Sequence, residues 1–232
     1  MIDEKIISLR LNCFKKFDTL MRKFFRKIFD KFLDWLIFCL VHLLFRPKVY
    51  YVNKSRKKEL FKEPTMIVSH HVAHYDGLTI GSVFHKSPIC HMAAKDRFAQ
   101  KGLAFFFRHL NVIPIDRQQL DTSWIYQALD KLKRQKEMVA IYPEGLRSET
   151  GEILPFHSGI TTIATLAQVP LVMIYIEGPY TWLIGNRVKL YVSEPFRLDQ
   201  PLNGMNADYI NEQTVKLHDK MVEMQNEFNN LK

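Results

Sequence analysis

Apolar residues in the first part of the chain recur at three- and four-residue steps, the period that puts them on one face of a helix. Phe14, Phe17, Phe24, Phe25, Phe29, Phe32, Trp35 and Phe38 carry the stripe, with lysines and arginines between them. The pattern predicts two helical segments, 3–34 and 35–46, the second ended by Pro47, which has no N–H to continue the ladder. From Lys48 onward the period changes. Short β-branched or apolar runs near 48–52, 65–69, 89–93, 111–115, 138–142, 171–176 and 187–193 read as strands. Helical patterns near 77–85, 97–109, 121–135 and 158–167 alternate with them. A last amphipathic stretch, 206–230, carries Tyr209, Val215, Leu217, Met221, Met224 and Phe228. Such alternation is the mark of a layered α/β domain. The chain therefore divides into an N-terminal helical segment, 1–47, and a domain over 48–232, joined by the basic stretch Lys54 to Lys58.

Charge sharpens that division. The formal net charge of +9 belongs to the first 58 residues, which hold 15 of the 33 Lys and Arg and only 5 of the 24 Asp and Glu. A basic helix with an aromatic stripe fits the surface of an anionic membrane, with cations at the headgroups and rings in the acyl boundary. A stripe at helical period argues against nucleic acid, whose single strands are read on stacking platforms. The run Trp35 to Phe45 is eleven residues long, against the roughly 20 needed to span a bilayer, so it belongs in the interface or one leaflet. It begins late, follows several acids and precedes no small-residue cleavage pattern, unlike a signal peptide. Cys13, Cys39 and Cys90 are too scattered for a disulfide framework or a cysteine metal cluster, and they suit a reducing compartment.

The chemistry is concentrated in two segments, His70-His71-Val72-Ala73-His74-Tyr75-Asp76-Gly77 and Tyr142-Pro143-Glu144-Gly145-Leu146-Arg147-Ser148. Five helical steps rotate by roughly 140°, so His71 and Asp76 share neither a helix face nor a strand face and meet only across a turn. An imidazole oriented by a carboxylate at such a turn can take a proton from a hydroxyl. Asp76 is equally suited to cap the helix that follows, and the two roles are compatible. His70, His71 and His74 also raise a metal site, and with it a metal-dependent hydrolase. Against it, the preceding run is strand-like and the zinc-protease glutamate is missing.

Four ordered blocks together resemble the glycerolipid acyltransferases, most closely the bacterial lysophosphatidic acid acyltransferases. They are His71 to Asp76, Val112-Ile113-Pro114-Ile115-Asp116-Arg117, Tyr142 to Ser148, and Val169-Pro170 with its following apolar run, covering roughly residues 65–180. His70 stands where that family usually has Asn, Tyr142 where it has Phe, and His157 where Lys is common.

The resemblance implies an α/β domain with a central mixed sheet flanked by helices, behind a two-helix membrane-interacting motif. It implies transfer of a fatty acyl group from acyl-CoA or acyl-acyl carrier protein, as co-substrate and with no cofactor or metal, to the sn-2 hydroxyl of lysophosphatidic acid or a related lysolipid. His71 is then the general base and Asp76 its orienting partner. Arg117, Arg147 and Lys95 are candidates for the acceptor's phosphate, since a guanidinium matches phosphate with two parallel hydrogen bonds. Glu144 is expected at the acceptor's glycerol portion, and Gly145 permits close backbone approach. The implied place is the cytoplasmic face of the cell membrane, peripheral or monotopic. A non-catalytic lipid-binding module built on the basic N-terminus is the remaining rival.

Overall fold

The computed structural model describes residues 2–99, 107, 110–116, 122–178, 187–201 and 204–231, with residues 2–18 as backbone only. All seven expected strands form, and they assemble into one sheet. They are β1 (Lys48–Tyr51), β2 (Met66–Ser69), β3 (Ile89–Ala94), β4 (Val112–Ile115), β5 (Met138–Ile141), β6 (Leu171–Glu177) and β7 (Lys189–Val192). Their order is β1-β7-β6-β2-β5-β3-β4, parallel throughout except for the antiparallel β6–β7 pair.

A mostly parallel sheet is covered on both faces, so its strands read as unbroken apolar runs whose alternate residues feed two cores. Met66 and Val68 of β2, with Leu171, Met173 and Tyr175 of β6, face one core. Three helices close that side: α3 (Ser123–Leu129), α4 (Gly159–Ala167) and α5 (Ala207–Asn230). Ile67, Val172, Ile174 and Ile176 point the other way, against α1 (Ile2–Leu44) and α2 (Asp76–Val83).

One expectation is corrected. The N-terminal segment is one continuous helix of 43 residues instead of a two-helix motif, because nothing between Ile2 and Leu44 removes a backbone donor or relaxes the ladder. The helix expected near 121–135 forms as α3, Ser123–Leu129, continued by a π-helical turn at Asp130–Arg134. The expected helix 97–109 lies largely outside the described residues, and Lys95–Ala99 before it is a 3-10 turn.

The distal half of α1 is part of the body. It runs antiparallel to α2, with Phe45 against Tyr75, His42 Nδ1 3.1 Å from Ser82 Oγ, and Phe38 against His85. Leu33, Ile37, Val41 and Phe45, four residues apart, form the packed face. Phe25, Phe32, Trp35, Leu36 and Leu43 are exposed, and at 100° per residue they centre roughly 150° away from that face. The helix thus has two apolar sides, and only one is covered by the described residues.

Candidate active site

Adjacent parallel strands β2 and β5 end side by side, so the loops leaving their carboxyl ends meet in the crevice where α/β sheets commonly hold ligands. The loop after β2 carries His70 to Asp76 and the loop after β5 carries Tyr142 to Ser148. His71 Nδ1 lies 2.7 Å from Asp76 Oδ2. A carboxylate only accepts, so this contact assigns the proton to Nδ1 and leaves Nε2 as a proton acceptor on a side chain 20% exposed. The same Oδ2 accepts the N–H groups of Val72 and Ala73, each at 2.8 Å. Asp76 is the first residue of α2 and its carboxylate turns back over the loop, so it organises the turn ahead of the helix instead of capping the helix itself.

Glu144 departs from its expected position. Its side chain has no exposure and faces inward: Oε1 is 2.7 Å from His70 Nδ1 and accepts His71 N–H at 3.1 Å, while Oε2 accepts Leu154 N–H at 3.2 Å. Every oxygen is engaged by the chain's own donors, so the carboxylate is turned away from an acceptor in the crevice. The turn around it is tight. Gly145 has φ +68°, and a Cβ there would stand 3.0 Å from the His157 ring. The close approach to Gly145 is therefore made by His157, whose N–H also bonds Pro143 O at 2.8 Å.

The cations are distributed unevenly. Arg147 is exposed, in the turn whose next residue, Ser148, donates its N–H to His71 O. Lys95, at the end of β3, is paired with Asp116 at the end of β4, 3.1 Å away. Arg117 lies outside the described residues. Partial burial, then the charges of Arg147, Arg97 and His71, hold the His74 imidazole below its ordinary range. Arg97 is a cation that no block of the sequence singled out; only the effect of its charge on His74 reveals it.

The three histidines do not converge. His70 is committed to Glu144 and His71 to Asp76, and no group of three or more His, Cys, Asp or Glu able to hold a metal ion occurs among the described residues. Tyr142 is another residue whose role spacing did not show. Its ring lies 4.4 Å from the His71 imidazole at a 32° tilt. Burial, helped by the Asp76 charge, pushes its phenol well above the usual value, so it is a neutral wall beside the His71 ring.

The profile of the family described as Acyltransferase matches residues 46–177, more than half of the chain. A 1-acyl-sn-glycerol-3-phosphate acyltransferase of Bacillus subtilis is 27% identical over 169 residues, 72% of this chain and 83% of that protein. The human 1-acyl-sn-glycerol-3-phosphate acyltransferase beta is 32% identical over 133 residues, 56% of this chain, which spans only 47% of the human protein. The fold matches the crystal structure of a 1-acyl-sn-glycerophosphate acyltransferase from Thermotoga maritima, with a TM-score of 0.57 at 19% identity over 85% of this chain and 82% of the other.

Proposed function

The chain belongs to the acyltransferase family, and we propose from that premise that it moves a fatty acyl group from acyl-CoA or acyl-acyl carrier protein to the sn-2 hydroxyl of lysophosphatidic acid, giving phosphatidic acid. The observation that carries the mechanism is the 2.7 Å contact between His71 Nδ1 and Asp76 Oδ2 at the crevice. The acceptor is inferred from the activity for which the Bacillus subtilis and human relatives are named. His71 Nε2 takes the hydroxyl proton as the acceptor oxygen attacks the thioester carbonyl. The tetrahedral intermediate collapses by breaking the carbon–sulfur bond, and the imidazolium returns the proton to the leaving thiolate. Asp76 holds the tautomer and stabilises the imidazolium, as in triad logic with the substrate hydroxyl replacing an enzyme nucleophile. Arg147 is the described cation best placed for the acceptor's phosphate, and Arg117 shares that assignment.

In the same reading, residues 1–47 hold the domain of residues 48–232 against the cytoplasmic face of an anionic membrane. No helix among the described residues is long and apolar enough to cross one. The support is the second apolar side of α1: Phe25, Phe32 and Trp35 are 61%, 53% and 60% exposed, on the side of the helix turned from the body.

Thiol release from acyl-CoA and from acyl-acyl carrier protein, against a panel of lysolipids, tests the reaction. Phosphate-bearing acceptors should be preferred over their dephosphorylated counterparts. His71→Ala should lose about two to four orders of magnitude in turnover with the fold intact. Retention of more than about a tenth of the activity would place the base elsewhere.

A further inference from the structure

We infer that His70 is a positioning residue for this reaction: acting through Glu144, it fixes the main chain of His71 and so the direction of the proton-accepting nitrogen. The inference rests on His71 being the base. The His70 side chain has no exposure, and neither does that of Glu144, its partner at 2.7 Å. A carboxylate removed from water persists only where donors satisfy it. Here the donors come from His70, from the N–H of His71 and from the N–H of Leu154, so one carboxylate ties three places in the chain together. The carbonyl of His71 is held as well, accepting Ser148 N–H at 2.8 Å. Both peptide groups flanking the base are thus gripped by the loop after β5.

His70 is itself aimed from behind. Its ring lies nearly parallel to that of Tyr175 of β6, 5.6 Å between centroids and 8° between planes. Gln225 of α5 donates to the Tyr175 hydroxyl at 3.2 Å. The other ring nitrogen, Nε2, is buried with no partner. An unpaired buried nitrogen destabilises a fold, and an apolar ring would stack on Tyr175 without it. What only a nitrogen-bearing side chain supplies is the donor to Glu144. Rotating the His71 peptide would swing Nε2 away from the acceptor hydroxyl, and misplacement by about 1 Å costs about a hundredfold in rate.

The test compares His70→Phe, which keeps the ring and removes the donor, with His70→Asn, whose Nδ2 is bonded to Cγ as the histidine's Nδ1 is and can donate in its place. His70→Leu repeats the donor removal should the core reject the phenyl ring. The full chain is assayed with acyl-CoA and lysophosphatidic acid, and its histidines are labelled with nitrogen-15 to follow the Nδ1–H resonance of His71, identified by its loss in His71→Ala. His70→Phe should lower kcat by about a hundredfold, leave both KM values within about twofold, and shift or broaden that resonance. His70→Asn should recover kcat to within about tenfold of the native chain and restore the resonance. An unchanged kcat in folded His70→Phe overturns the proposal, as does a loss of activity that follows the loss of folded protein while the His71 resonance stays put. A raised acceptor KM with kcat intact also overturns it, because the effect would then be on binding. Should His71→Ala keep its turnover, the base assignment fails, while the response of the His71 resonance to His70→Phe still shows whether the grip exists.

Discussion

His91 of β3 stands behind the dyad with its Nδ1 buried and unpartnered, and burial lowers its pKa to about 4. A histidine that resists protonation in the fold and accepts a proton near 6.5 when unfolded makes the unfolded state the better proton binder in that window. Stability should therefore be unaffected above about pH 6.5 and fall by about 3 kcal/mol as pH drops towards 4, where the loss levels off. His74, lowered for related reasons, adds a loss of the same sign. Urea unfolding of His91→Leu across that range should show a flatter acid limb than the native chain. Which residues would meet was legible only where spacing constrains it. His71 and Asp76 are close enough in sequence for a turn to pair them, and they pair. A sequence shows the charges of Glu144 and Lys95 without showing which side of a turn they face or what pairs with them. Their partners, His70 and Asp116, lie 74 and 21 residues away.

At the scale of elements, every strand was readable because apolar runs bounded by polar turns leave few alternatives. The change in composition near Trp35 suggests two helices in the N-terminal segment, but composition does not break a helix when the backbone hydrogen bonds continue. Its exposed and packed sides make separable predictions. Replacing Phe25, Phe32 and Trp35 together by Glu should abolish cosedimentation with anionic vesicles and leave the melting temperature nearly unchanged. Val41→Ala should cost about 1–3 kcal/mol in denaturant unfolding while vesicle binding persists. On the opposite face of the sheet, α4 begins at Gly159, where a Cβ would stand 2.6 Å from the Trp124 ring of α3. Gly159→Ala should cost about 1–3 kcal/mol by forcing the two helices apart, seen as a lower midpoint in thermal unfolding.

Over the whole molecule, charge and chemistry occupy different territories. The first 58 residues carry a net +10 and the other 174 a net −1, so in the proposed membrane role the attraction to anionic headgroups is concentrated along α1 and its connection to the sheet. Raising salt should weaken vesicle binding without eliminating it, since ions screen charge and leave apolar insertion in place. The grip on His71 also governs when activity can appear during folding. Its parts come from the loop after β2, the loop after β5, β6 and α5, which are joined by strand pairings between distant stretches of chain. Such pairings pay their loop-closure entropy before any contact rewards it, so they form late. A refolding chain should regain helical circular dichroism first and turnover only with the final slow phase. A urea titration should lose turnover at or before the loss of the sheet, with no active, half-folded species between.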